Sequence, residues 1–258
     1  MNTETQLIVN GYMFSIFKKR SFQPPDLSEL VTDMHSHLIP GIDDGATDVQ
    51  NSLELMNGLT ELGYQKFIAT PHILWDIFKN NAGTITPAYN DLKAGMSEAN
   101  NQTPIKFTAE YFLDYHVEEL MEEEKPLLTL KDNMVLVEFS FVSAPLDLKE
   151  KLFSLQMAGY QPVIAHPERY IYFGKTKEKY EELKEAGYFL QVNLLSLTGY
   201  YGKLPQEIAN QLVKNKMVDF LGTDLHHVRH LNALQNASHL TDTIKFLLDS
   251  GTLLNHTL

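Results

Sequence analysis

The chain of 258 residues contains no cysteine. That excludes disulfides, cysteine-rich zinc sites and every mechanism that depends on a thiolate. A phosphatase built on this sequence does not use a cysteine nucleophile. Cationic residues are scarce as well: 21 Lys and Arg stand against 33 Asp and Glu, for a formal net charge of −12. Nucleic-acid binders present a basic face, so nucleic acid is not an expected partner. No apolar run reaches the length of a membrane span. The N-terminus lacks the basic start and apolar block of a signal peptide, and the protein reads as cytoplasmic. The apolar-then-basic piece from Tyr12 to Arg20 has the composition of a surface anchor, but it is short and reads as a loosely docked tail. No linker, low-complexity run or composition shift divides the chain. We expect a partly flexible N-terminal tail over residues 1–30 and one domain over 31–258, with a substantial core from a hydrophobic content of 43%.

What is present centres on Thr32-Asp-Met-His-Ser-His-Leu-Ile-Pro-Gly-Ile-Asp-Asp-Gly45. It opens as a strand and ends as a turn. Residues two apart in a strand face the same way, so His35 and His37 can reach one ion together. Gly41 and Gly45 let the chain bend so that an Asp returns to the same place. Imidazole with carboxylate suits Zn, Mn or Fe. A lone His-x-His is a weak signal, and its weight depends on the rest of the chain.

The rest alternates strand and helix, the pattern of parallel βα units. Strands are expected near 32–38, 66–72, 105–111, 134–139, 162–167, 189–194 and 218–226. Helices are expected after a capping box with Thr47 as N-cap, at about 87–99, 148–158, 177–186 and 205–214, and finally at 233–248, while 118–125 reads as a short acidic helix or loop. Leu62-Gly63-Tyr64, Ala158-Gly159-Tyr160 and Ala186-Gly187-Tyr188 each read as a helix stop leading into a strand. The long connection 73–86 is a candidate for shaping a substrate mouth. Seven parallel strands suggest a closed or nearly closed (β/α) barrel.

Active sites of such barrels lie at the C-terminal ends of the strands. Most of the expected strands carry a histidine or carboxylate there: His35 and His37, His72, Glu110, Glu138, His166, and Asp224 with His226. Asp44 joins them from the turn. Together they predict a multinuclear metal site. These five histidines and four carboxylates suffice for three divalent ions if one carboxylate bridges. Such a pocket is locally cationic and attracts a phosphomonoester, whose hydrolysis metal ions promote. Gly174-Lys-Thr176 is not a P-loop, because Arg169 stands where its first glycine is required.

These residues resemble the PHP (polymerase and histidinol phosphatase) superfamily, and within it the CpsB/YwqE-type bacterial metal-dependent protein-tyrosine phosphatases of capsule and exopolysaccharide systems. The resemblance rests on Asp33 to Gly45, Ala69-Thr-Pro-His72, Ala109-Glu-Tyr111, Val137-Glu-Phe-Ser140, Ile164-Ala-His-Pro-Glu-Arg169, Gln191-Val-Asn193 and Thr223-Asp-Leu-His226, in family order. It implies an α/β fold, a distorted (β/α)7 barrel, holding three divalent ions, usually Mn2+, with Zn2+, Fe or Mg2+ as alternatives. It implies that His35, His37, Glu110 and Asp224 hold one ion. Glu110, Glu138 and His166 hold a second, and Asp44, His72 and His226 a third. Arg169 contacts phosphate, and Arg229 is the candidate for a second phosphate arginine. The implied reaction is in-line attack of a metal-bound hydroxide on phosphotyrosine. The implied partner is a bacterial tyrosine autokinase with a tyrosine-rich C-terminal tail. A homo-oligomer is compatible with the sequence. The alternatives are a histidinol-phosphate phosphatase on the same scaffold, a non-catalytic metal-binding regulator and, more distantly, an amidohydrolase. An amidohydrolase usually adds a bridging lysine, and Glu110 and Glu138 stand at the corresponding positions.

Overall fold

The computed structural model describes residues 23–258. The segment Tyr12 to Arg20 lies outside the described residues. Leu27 and Leu30, within the expected tail, are fully buried, and the Leu27 N–H donates to the Leu62 carbonyl.

The strands are β1 (Thr32–Asp33), β2 (Lys66–Ala69), β3 (His72–Ile73), β4 (Ile105–Phe107), β5 (Glu110–Phe112), β6 (Met134–Glu138), β7 (Gln161–Ala165), β8 (Phe189–Asn193) and β9 (Phe220–Gly222). Their pairings are all parallel, in the orders β1-β2-β4 and β3-β5-β6-β7-β8-β9. The nine segments make the seven expected strands, because two strands are interrupted at one level. Continuing the β3–β5 register by one residue sets Pro71 opposite Ala109, and a proline has no N–H to donate to a ladder. Bonds run on across the interruption: Thr108 N–H to Ala69 O, and Glu110 N–H to Pro71 O. A parallel bridge between Ser36 and Leu225 joins the first strand to the last, with His37 N–H donating to Leu225 O at 3.0 Å and Asp224 N–H to His35 O at 2.8 Å. These contacts close the barrel.

Helices cover the outside: α1 (Val49–Glu61), α2 (Ala82–Glu98), α3 (Tyr115–Glu122), α4 (Leu148–Met157), α5 (Lys177–Glu185), α6 (Leu194–Thr198), α7 (Lys203–Lys214), α8 (Val228–Gln235) and α9 (Leu240–Asp249). One large apolar cluster binds them to the strands. A smaller one, with Met34, Ile68, Leu136, Phe220 and both Val163 and Ala165 of β7, fills the interior beneath the strand ends. Gly63, Gly159 and Gly187 all have positive φ, so each of the three expected helix stops uses a left-handed turn that other residues adopt only under strain.

Several element boundaries differ from expectation. The N-cap of α1 is Asp48, whose carboxylate accepts from Asn51 N–H at 2.9 Å, while Thr47 donates to Asp48. Helix α2 begins five residues before the expected start at Pro87, because Asn81 and Thr84 form a reciprocal capping box. A cap with two bonds sets the start, and Pro87 is accommodated in the second turn. The single final helix is two, with His227 capping α8. Helix α6 was not expected; it follows β8 directly and ends at Gly199 in a left-handed conformation.

Candidate metal centre

The C-terminal ends of the strands bring all nine expected side chains to one rim. His35, His37, Glu110 and Asp224 form one group, His37, Asp44, His72 and His226 a second, and His72, Glu110 and Glu138 a third. Within each group the candidate ligand atoms lie within 4.8 Å of one another. His35 Nε2 is 3.1 Å from Glu110 Oε2 and 3.4 Å from Asp224 Oδ1. His166 Nε2 is 2.9 Å from Glu110 Oε1 and 3.8 Å from Glu138 Oε2. His72 faces two groups: Nδ1 is 3.1 Å from Glu138 Oε1, and Nε2 is 3.5 Å from Asp44 Oδ1.

The donor set fits bound cations. His35 Nε2, His37 Nε2, His72 Nδ1 and Glu110 Oε2 are buried and make no hydrogen bond. Leaving a buried polar atom without a partner costs about 1–3 kcal/mol, so four of them aimed at one another mark a place for a ligand. His35 Nδ1 is tied to Gln191 Oε1 at 2.8 Å, and His37 Nδ1 to Asp43 Oδ2 at 2.8 Å. Both bonds leave Nε2 free to face the centre, the arrangement by which outer partners orient ligating imidazoles. His226 is oriented likewise, its Nδ1 2.9 Å from the Asp224 carbonyl.

The local backbone is shaped to the same end. His166 and Asp224 hold φ of 34° and 50°, uncommon for residues with a Cβ and typical of strained functional positions. At Gly45 an added Cβ would come within 2.3 Å of His37 Cβ, so only glycine lets the Asp43–Asp44 turn close over the histidine.

Electrostatics couple the cluster. Burial alone would lift the Glu110 carboxyl, but His35, His72 and His166 outweigh it and hold it well below the usual carboxylate range. Asp224 is held down in the same way by His35 and His226. Burial and the neighbouring His37 disfavour charge on His72, yet Glu110 and Glu138 raise its pKa to about 9. His230 goes the other way, to about 4, through burial and the nearby His227 and His226.

The centre opens into a cavity of about 250 Å³ lined by Asp44, His72, Glu138, His166, Asp224 and His226. Arg169 also lines it, with Nη1 3.1 Å from Asp224 Oδ2. Arg229 is exposed and is not among the lining residues. The connection 73–86 contributes no lining side chain among its loop residues. Instead Phe78 stacks on His72 at 5.7 Å, and Asn80 donates to the carbonyls of Ile42 and His72.

Sequence reasoning missed the supporting residues. Gln191 and Asn193 share one face of β8, a period-two signal that was there to be read; Asn193 donates to Asp224 at 2.7 Å. Glu168, buried, accepts from Asn193 N–H and Ser196 Oγ and so anchors the turn that carries Arg169. Phe141 and Tyr201, from loops with no motif, also line the cavity.

A family model described as capsular polysaccharide synthesis, CpsB/CapC, matches residues 31–244. Tyrosine-protein phosphatase YwqE of Bacillus subtilis (strain 168) is 30% identical over 201 residues, covering 78% of this chain and 79% of that protein. Tyrosine-protein phosphatase CpsB of Streptococcus pneumoniae is 25% identical over 202 residues, covering 76% and 83%. Among solved structures, a chain from the work on YwqE of Bacillus subtilis and CpsB of Streptococcus pneumoniae, described as unique metal-dependent tyrosine phosphatases, superposes with a TM-score of 0.72. It is 29% identical, over 85% of this chain and 86% of that one. The lactonase Lmo2620 of Listeria monocytogenes, at 13% identity and a TM-score of 0.50 over 87% and 86%, shares the fold alone.

Proposed function

The chain belongs to the CpsB/CapC family of capsular polysaccharide synthesis, and from that premise and the rim geometry we propose a metal-dependent protein-tyrosine phosphatase. The observation that carries the reading is the convergence of unpartnered buried imidazole and carboxylate atoms on one cavity that also holds an arginine. We assign His35, His37, Glu110 and Asp224 to one ion and Glu110, Glu138 and His166 to a second. Asp44, His72 and His226 take a third. The ions are manganese in preference to zinc, iron or magnesium. When bound, they supply a hydroxide nucleophile at neutral pH and neutralise charge on the phosphoryl group.

The chain's own residues do the rest. Arg169 binds the phosphoryl oxygens through N–H groups not engaged by Asp224, a task suited to the guanidinium fork. Gln191, Asp43 and the Asp224 carbonyl hold the histidine rings in position. His227 and His230 line the cavity and have lowered pKa values, so at neutral pH they offer hydrogen bonds rather than charge. The leaving phenolate has a pKa of about 10 and needs less protonation than an alkoxide. The substrate we propose is the tyrosine-rich C-terminal tail of a tyrosine autokinase. We place Arg229 outside the phosphate contact, because its side chain is exposed and away from the lining.

The test is to strip the protein with chelator, add back Mn, Zn, Fe or Mg separately, and compare turnover of a phosphotyrosine peptide with histidinol phosphate. Turnover returning with metal, most strongly with Mn, and favouring the peptide is expected. Preference for histidinol phosphate overturns the substrate assignment; no turnover with any metal overturns the reaction.

A further inference from the structure

Two aromatic rings bracket Arg169, the only arginine of the cavity lining among the described residues. The Arg169 guanidinium carbon lies 4.3 Å from the ring centroid of Phe141 and 4.4 Å from that of Tyr201, and its Nη1 is tied to Asp224 at 3.1 Å. Phe141 comes from the loop after β6, and Tyr201 from the turn between α6 and α7. Rings over the guanidinium and a carboxylate at its edge leave few directions for its remaining N–H groups. The side chain that carries them lines the same cavity as the rim carboxylates and histidines.

The two rings differ in one respect. Tyr201 is mostly buried, with its ring over the guanidinium. Phe141 is 41% exposed although it also touches His166 and Tyr170, at 5.3 and 5.7 Å between centroids. A large apolar ring held half in water at the mouth of a polar cavity has a face left over.

We propose that Phe141 is a specificity-determining residue: it covers Arg169 on one side and offers its free surface to the aryl ring of the substrate, while Tyr201 acts as a positioning residue for the same guanidinium. The inference rests on the phosphotyrosine reading and deepens it. A phosphoryl group between Arg169 and the rim places the attached phenyl ring beside Phe141, where offset or edge-to-face contact is favourable. An alkyl phosphate reaches the same arginine without that contact. The net charge of −12 also makes an apolar contact the better handle for an anionic peptide, since the distant surface repels it.

The test uses the metal-loaded full chain and two peptides identical except for phosphotyrosine or phosphoserine. For Phe141→Leu the ratio of kcat/KM between the two peptides falls about tenfold, the scale of one aromatic pair. Phe141→Tyr, which keeps a ring, restores most of the ratio. For Tyr201→Leu the inhibition constant for inorganic phosphate rises about tenfold, the scale of a desolvated cation–π contact, whereas Tyr201→Phe leaves it within about twofold. A wild-type enzyme that turns over phosphotyrosine while Phe141→Leu keeps the peptide ratio overturns this inference and leaves the function standing. A wild-type enzyme inactive on phosphotyrosine overturns both. Equal phosphate inhibition in Tyr201→Leu and Tyr201→Phe overturns the positioning role.

Discussion

The two ends of the barrel bury polar groups in opposite ways. At the floor, near the N-terminal ends of the strands, the buried Asn255 and Asp33 side chains find their partners within the protein, although the lone Thr32 hydroxyl does not. The Asn255 side chain donates to the Thr32 and Leu221 carbonyls and accepts from Leu221 N–H. Asp33 accepts from Thr223 Oγ1 at 2.6 Å and from Thr223 N–H at 3.1 Å. At the rim, two residues further along the same strand, His35 Nε2 is equally buried and has no bond. The same desolvation is compensated by the chain at one end and left for a ligand at the other. Unpartnered polar atoms that converge on one another, unlike the isolated hydroxyls of Thr32 and Thr108, therefore distinguish a site from a scaffold more sharply than burial does, since both ends are buried.

The largest effects separate the two ends outright. Glu110→Ala or His37→Ala should lower phosphotyrosine turnover by at least ~100-fold, a bound set by what even outer-sphere substitutions reach, while circular dichroism reports a folded protein. Asn255→Ala should do the reverse. It strips partners from buried groups of Thr32 and Leu221 and should cost about 2–3 kcal/mol in urea unfolding, with turnover per folded molecule retained. If Glu110→Ala keeps its activity, the rim is a scaffold like the floor and the distinction fails.

A smaller effect is read from pH, where each end has its own window. Asp33 is raised by burial from 3.8 to about 6 despite its bonds to Thr223. Its folded form binds the proton more tightly, so the stability it contributes is present below about 3.8 and lost as pH rises through about 6. His72, raised from 6.5 to about 9, contributes stability that is full below about 6.5 and lost as pH climbs through about 9. Unfolding of the metal-free protein should show both losses, each on the order of 1–3 kcal/mol. Bound metal competes with the proton on His72, so it should abolish the upper window and leave the lower one. An upper window that survives saturating Mn means that His72 is not a ligand.

How much of this was legible follows from the physics of each signal. The strand order and the rim residues were readable because parallel βα units alternate and because a barrel gathers its strand ends at one face. The helix boundaries at Asn81 and Asp48 were not, because capping depends on which of two adjacent polar side chains turns inward. His72 was expected beside Asp44 and His226 alone; in the folded chain it also faces Glu138, since each of its ring nitrogens lies beside a carboxylate. Phe141 and Tyr201 were invisible because contacts made by loops far apart in sequence follow no period.

The Asp43–Asp44 pair shows the limit most clearly, and it yields the finest test of rim against floor. Two adjacent carboxylates after a glycine turn look interchangeable in sequence. In the structure Asp44 reaches forward, 3.5 Å from both His72 Nε2 and His226 Nε2, while Asp43 turns back. Asp43 Oδ2 receives His37 Nδ1–H and His72 N–H, and Oδ1 receives Gly45 N–H. All three partners are donors, so an amide in its place must aim an NH2 group at one of them. Asp43→Asn should therefore keep every candidate ligand yet let the His37 ring turn, with about a tenfold loss of metal affinity, the low end for an outer partner of an imidazole. The measurement is Mn titration followed by recovered turnover. Stability in the metal-free state should change less than in Asn255→Ala, because Asp43 orients a ligand where Asn255 holds the chain together. A variant with unaltered Mn affinity would place Asp43 with the floor residues, as packing rather than support for the centre.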